Sequence, residues 1–278
     1  MSAQNIKIAW FGKHFGEEPP LVGNHQQGSG TIFFTGCHLH CVFCQNYQIS
    51  QEGMGRLYRI EELARIMFEL QKEGAANINL VTPTIWFQQI KKAIILARQQ
   101  GFKIPIVWNS NGYEAIELLK QLEGLIDIYL PDFKYGDDQI ALKYSGAKNY
   151  TQIAASAIQE MLRQVGYLKE CHGLAVKGLI VRHLILPHNL ENSFKALDIL
   201  SSIDKKIHLS LMSQYYPLYK VREFPEINQL LPRQDFLRAC NYALKLGFSS
   251  GWIQEKGCCK ELIPDFTQEK PFISLTKL

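Results

Sequence analysis

The sequence predicts an α/β fold in which βα units wind around one parallel sheet, and two observations predict it. Short apolar runs rich in β-branched residues alternate with amphipathic stretches from residue 30 onward, as strands do when each is returned by a helix. Polar clusters fall where those runs end, at Thr82-Pro83-Thr84, Asn109-Ser110-Asn111-Gly112, Asp132-Phe133-Lys134 and Gln214-Tyr215. In βα barrels the C-terminal strand tips form the active-site face. Every α/β protein places polar residues in its loops, so part of that clustering has an ordinary origin.

Taken in order, residues 1–29 read as an N-terminal extension, punctuated by Pro19-Pro20 and Gly28-Ser29-Gly30 and expected to serve as a lid or an edge element. The first strand is Thr31 to Thr35. Ile60, Leu63, Ala64, Met67 and Leu70 then follow helical spacing, and the stretch stops at Gly74 as a helix with a glycine C-cap does. A strand at Asn77 to Thr82 leads to a helix at Ile85 to Gln100, ended by Gly101. Strands at Ile104 to Asn109, Ile126 to Leu130, Gly178 to Leu186 and Ile207 to Met212 complete a set of six. Their helices are expected at Tyr113 to Leu122, Tyr150 to Val165, Glu191 to Ile203 and Pro232 to Leu246. No low-complexity stretch or Ser/Pro-rich linker interrupts this rhythm, so one domain is expected over 30–255, followed by a C-terminal tail over 256–278.

At 278 residues and 46% hydrophobic, the chain has enough apolar material for one large core. A net charge of +4, with Lys and Arg scattered along the chain, gives no electrostatic footprint for nucleic acid or an anionic membrane. With no apolar block at the start and no run long enough to span a bilayer, the expectation is a soluble, cytoplasmic protein. Seven cysteines, three of them within eight residues, argue against a disulfide framework and for metal binding or redox chemistry.

Those three lie in Gly36-Cys37-His38-Leu39-His40-Cys41-Val42-Phe43-Cys44, a CxxxCxxC loop directly after the first strand. Thiolates are the soft ligands of iron–sulfur clusters, and a closed four-iron cluster normally takes four of them. Three ligands on one short loop can grip three corners and leave one iron open to a further ligand. Other readings stand beside this one. The cysteines could share a helix face in the core, although Gly36 and the strand before it oppose a regular helix. His38 or His40 could complete a Cys3His zinc site. One of Cys171, Cys240, Cys258 or Cys259 could close an electron-transfer cluster.

CxxxCxxC after the first strand of a six-unit βα barrel resembles the radical S-adenosylmethionine (SAM) superfamily. The run Gly28-Ser29-Gly30-Thr31-Ile32-Phe33-Phe34-Thr35-Gly36-Cys37, with Cys41-Val42-Phe43-Cys44-Gln45-Asn46-Tyr47, is similar to the pyruvate formate-lyase activating enzyme-like proteins. Further matching segments are 77–84, 127–134 and Val181-Arg182-His183-Leu184, so the resemblance covers about residues 10 to 255. It implies a partial (β/α)6 TIM-like barrel. It also implies a [4Fe-4S] cluster held by Cys37, Cys41 and Cys44, and SAM bound at the open iron. Reductive cleavage of SAM would give methionine and a 5'-deoxyadenosyl radical that takes hydrogen from a substrate, for example a protein glycine or a small molecule. The partners it implies are an electron donor such as a flavodoxin or ferredoxin, and a protein or peptide substrate.

Carried over by position, Phe43 should pack near the adenine. Thr82 and Thr84 occupy the place of the Gly-Gly-Glu segment that receives the SAM amino group in many relatives. Asn109, Ser110 and Asn111 resemble the Asp-Thr-Asn-Gly segment of activating enzymes, and Asp132 with Lys134 resembles their Asp-x-Lys. Arg182 falls where they have a basic residue facing SAM. Met212 and Tyr215, at the last strand tip, complete the cofactor-facing set. Three departures are plain: Asn109 stands in place of an aspartate, Tyr215 in place of a histidine, and no cysteine precedes Cys37. For Arg182, inside an apolar run, burial demands a partner for the guanidinium, which favours a functional role for it.

Overall fold

Ten strands and nine α-helices, as described in a computed structural model over residues 4–24, 26–254 and 263–272, follow one another as β1 (Asn5–His14), α1 (Pro19–Val22), β2 (Ser29–Phe34), α2 (Tyr47–Ser50), β3 (Arg56–Arg59), α3 (Ile60–Lys72), β4 (Ile78–Val81), α4 (Phe87–Gln99), β5 (Ile106–Ser110) and α5 (Ile116–Leu122), then β6 (Ile128–Pro131), α6 (Asp138–Ser145), α7 (Tyr150–Val165), β7 (Lys169–Cys171), β8 (Leu174–Leu184), α8 (Leu190–Ile203), β9 (His208–Met212), α9 (Arg233–Leu246) and β10 (Gly251–Gln254). The strands join in one sheet of order β10-β9-β8-β6-β5-β4-β2-β1-β3, with β7 hairpinned onto β8. All pairings from β2 through to β10 along that order are parallel. The six expected strands are therefore the six consecutive members β2, β4, β5, β6, β8 and β9, the wall of a partial barrel.

Both faces of that wall are covered, which is why the strands read as continuous apolar runs. Alternate residues such as Ile32, Leu80, Trp108, Tyr129 and Val181 pack against the helices in the main core. Val107, Ile128, Leu130 and Ile180 point the other way and pack with Leu21. Leu21 comes from the extension. After β1 pairs antiparallel with β2 and carries β3 on its outer side, the chain turns through α1 and sets Leu21, fully buried, against the opening ends of β5 and β6. Asn77 fixes it there: its Nδ2 donates to Leu21 O at 2.6 Å and its Oδ1 accepts from Ser29 Oγ at 2.6 Å. The extension is a strand set between β2 and the edge strand β3, followed by a plug.

Several elements lie beyond the sequence expectation. β8 begins at Leu174 rather than Gly178 because it is half of a hairpin whose turn, His172-Gly173, has positive φ at both positions (52° and 77°). Helix α5 starts at Ile116 rather than Tyr113, since Tyr113 N is held by Asn111 Oδ1 at 3.0 Å. β10 adds a seventh parallel strand next to β9. In the tail, Phe266 and Phe272 pack on Trp10 and Phe33, anchored where the Gln48 side chain accepts from Phe266 N (2.9 Å) and donates to Asp265 Oδ1 (3.2 Å). Cys258 and Cys259 lie outside the described residues. Among the described residues no helix is long and apolar enough to cross a membrane.

Candidate active site

The cysteine loop leaves the C-terminal end of β2 and is splinted on three sides. Val42 N and His40 N donate to Tyr144 O and Ser145 O at the end of α6 (2.8 and 3.0 Å), Lys220 N donates to Val42 O (3.0 Å), and His38 Nε2 donates to Tyr113 O (2.7 Å). Each sulfur has a polar neighbour of its own. Cys37 Sγ accepts from Leu39 N (3.4 Å) and Asn111 Nδ2 (3.3 Å), Cys41 Sγ from Ser145 Oγ (2.9 Å), and Cys44 Sγ lies 3.2 Å from Ser50 Oγ. Burial pushes all three thiols up, Cys41 to about 12, with the Lys134 charge acting in the opposite direction on each.

These features fit an iron–sulfur cluster. Three soft sulfurs share one rigid loop, every sulfur has a donor or hydroxyl against it, and a lysine charge stands ready to offset thiolate charge. Loading metal onto such raised thiols must release protons, because a coordinating thiol is deprotonated. Among the described residues no three His, Cys, Asp or Glu side chains converge on a single ion's position.

Beside the loop is a cavity of about 280 Å³. Cys37, Cys41, Phe43 and Cys44 line it, together with Thr82, Asn109, Ser110, Asn111, Asp132, Lys134, Arg182 and Met212. Strand register explains the gathering: Asn109, Asp132, Arg182 and Met212 share the face turned away from the helices, at the C-terminal ends of neighbouring strands. Gly112 makes the approach of β5 and β6 possible, since a Cβ there would lie 2.1 Å from Asp132 O and its φ is +73°. Thr82, at φ +57°, is a β-branched residue in left-handed backbone, a conformation that persists only where surrounding structure enforces it.

Two of the expected residues do not line the cavity. Thr84 turns its hydroxyl to Glu114 Oε1 at 2.9 Å. Tyr215 is buried behind Phe43, ring centroids 5.8 Å apart, and donates to Ile227 O at 2.7 Å. Asp132 and Lys134 form an ion pair that is largely buried, not an exposed one. Burial alone would lower the Lys134 pKa, but the Asp132 carboxylate beside it reverses this and holds it above its ordinary range.

Arg182 obeys the rule that a buried guanidinium needs a partner, and the chain itself supplies that partner. Its Nε and Nη2 donate to Glu18 Oε1 and Oε2 at 2.8 and 2.5 Å, and Nη2 also meets Glu17 Oε2. Burial would raise the Glu17 carboxyl, yet the Arg182 charge keeps it well below the usual carboxylate range. Arg182 thus lines the cavity while its guanidinium is paired within the chain, tying the extension to the cavity floor. Its neighbour His183 is fully buried between Phe133 O (2.6 Å) and Ser193 Oγ (2.9 Å).

Sequence reasoning missed Glu114. Its buried carboxylate accepts from Thr84 Oγ1 and Trp108 Nε1 (both 2.9 Å) and from Ser110 Oγ (2.6 Å), tying the tips of β4 and β5 together; burial raises its pKa. The signal was a glutamate four residues after Ser110, next to a turn rather than on a solvated helix face.

Comparison with known proteins settles the family. The model of the Radical SAM superfamily matches residues 31–206, more than half of the chain. The chain belongs to the radical SAM superfamily. Members of that superfamily use a [4Fe-4S] cluster and SAM. The chain is 34% identical over 244 residues to the uncharacterized protein MJ0674 of Methanocaldococcus jannaschii, a match covering 84% of this chain and 65% of that protein's length. Streptococcus suis SuiB bound to S-adenosylmethionine has a similar fold (TM-score 0.55, 12% identity, 79% of this chain and 48% of that one). So does methylornithine synthase, PylB (TM-score 0.53, 15% identity, 78% and 61%).

Proposed function

We propose that Cys37, Cys41 and Cys44 hold three corners of a [4Fe-4S] cluster whose open iron faces the cavity, and that this radical SAM enzyme abstracts hydrogen from its substrate. The observation that carries this reading is the convergence of all three sulfurs with the polar tips of β5 and β6 around one cavity. When bound, the cluster and SAM supply a reductively generated 5'-deoxyadenosyl radical. The chain's own residues bind and orient. Phe43, 6% exposed and backed by Tyr215, offers an aromatic edge for the adenine. Lys134, kept cationic by Asp132, offers charge to the SAM carboxylate. Asn109, Ser110 and Asn111 supply amide and hydroxyl groups, with Asn111 already donating to Cys37. Thr82 and Met212 complete the lining, Met212 as an apolar wall.

The segments similar to pyruvate formate-lyase activating enzymes favour a protein glycine as the hydrogen donor, with a flavodoxin or ferredoxin supplying the electron. One observation favours a small-molecule substrate instead: His14 of the extension and Pro264 and Phe272 of the tail also line the cavity, and the His14 and Phe272 rings lie 4.4 Å apart. Anaerobic reconstitution tests the common core of both readings. The expected result is a brown protein with about four irons per chain that cleaves SAM to 5'-deoxyadenosine under reduction, and a Cys41→Ala variant that does not. Bound zinc without a visible absorption band overturns it.

A further inference from the structure

We propose that Ser145, oriented by Tyr135, sets the reduction potential of the cluster through the sulfur of Cys41, an inference that rests on the cluster assignment above. Ser145 ends α6, and its backbone carbonyl and that of Tyr144 accept from the cysteine loop on either side of Cys41. The hydroxyl therefore sits on a fixed support, with Oγ 2.9 Å from Cys41 Sγ and 2.5 Å from Tyr135 Oη. Tyr135 and Ser145 are at most 1% exposed and Cys41 is 8% exposed.

Proton counting gives the chain of hydroxyls a direction. A serine hydroxyl has a single proton to donate. A ligating sulfur is deprotonated and can only accept, so that proton must point at Cys41. Ser145 Oγ is then left with lone pairs facing Tyr135, whose phenol has to be the donor. The order is Tyr135 to Ser145 to Cys41. Of the hydrogen bonds to the three sulfurs this is the shortest, and its low-dielectric setting makes it electrostatically the strongest. Hydrogen bonds to cluster sulfurs help set iron–sulfur potentials. Reduction adds negative charge, so a donor aimed at a ligand sulfur favours the reduced form and its removal disfavours that form.

The test uses the full chain, reconstituted anaerobically and titrated with EPR detection. Ser145→Ala should load the same iron and shift the ratio of reduced to oxidised cluster about tenfold at fixed potential, equivalent to a midpoint about 59 mV lower for one electron. Ser145→Thr, which keeps the hydroxyl, should stay near the parent value. Tyr135→Phe should move the midpoint in the same direction by less, and add nothing in the Ser145→Ala background. An unchanged midpoint in both single variants with parent iron content overturns the inference alone. Should Ser145→Ala fail to load, Tyr135→Phe decides. A parent chain that holds no iron overturns the proposed function and this inference together.

Discussion

Replacing Glu18 by glutamine keeps the shape of the side chain and removes its charge from the most enclosed ion pair among the described residues. Glu18 is 0% exposed, and its carboxylate takes two hydrogen bonds from Arg182. Removing one member of a buried pair costs about 3–5 kcal/mol, because the remaining charge is left without compensation. Here Glu17 still touches Arg182, which places the expected loss at the lower end, about 3 kcal/mol. The contrast with a full replacement sharpens the test. Converting Glu17 and Glu18 to leucine and Arg182 to methionine removes all three charges and puts apolar side chains in their place, and such exchanges are often neutral or stabilising. Urea unfolding followed by circular dichroism reads both. Limited proteolysis adds a local readout, since Glu18 anchors α1 and Leu21: the single variant should gain cleavage within residues 16–23. A loss below about 1 kcal/mol, with no new cleavage, would show that the pair is not desolvated as the structure has it and would refute the reasoning.

His183 predicts a pH dependence. Burial lowers its pKa from about 6.5 to about 4, so the unfolded chain takes up a proton in a range where the folded one does not. Stability from this group is complete above about pH 6.5 and drains away as pH falls toward 4, by about 2 kcal/mol at pH 5 and about 3 kcal/mol below pH 4. Unfolding free energies measured from pH 7 to 4 should carry that slope and lose it in a His183→Gln variant; equal slopes in both chains would count against it. Leu21→Ala should cost about 2–5 kcal/mol, as emptied core sites do, and thermal unfolding should show it. A cost like that of a surface truncation would mean that the extension does not fill the end of the barrel.

Legibility in the sequence followed the range of the forces involved. The six parallel strands could be read because burial on both faces leaves uninterrupted apolar runs, and the cysteine loop because three ligands within eight residues are a local fact. β1 left a local trace as well, since Ile6 and Ile8 are buried between more exposed neighbours, the alternation of a strand covered on one face. Helix α6 was not among the expected helices: its caps are local, with Asp137 Oδ1 accepting from Gln139 N at 2.9 Å and Gly146 left-handed after Ser145, but its eight residues carry little periodicity. Arg182 marks the boundary. The rule that it needs a partner was sound, whereas the partner lies 164 residues away in sequence, and no pattern along a single chain identifies a contact at that distance. The same limit hid the pairs Thr84 with Glu114, Tyr215 with Ile227, and Ser145 with Cys41.

The family match and the cavity do not have the same boundaries. Residues 31–206 contain the cysteine loop and the polar tips of β4, β5 and β6, the side of the cavity suited to a cluster and a charged cofactor. Its other side is built by His14, Gly16 and Glu17 before that region and by Met212, Gln214, Pro264 and Phe272 after it. An open sheet leaves a flank between its outer strands, and here that flank is closed by a plug held through Arg182 and by a tail held through Gln48. The shared repeat thus accounts for the cofactor side, while pieces outside the repeat shape the space next to it. The walls next to the cofactor side are positioned by an ion pair and an aromatic cluster rather than by any motif, so relatives that share the repeat can differ in the space beside it.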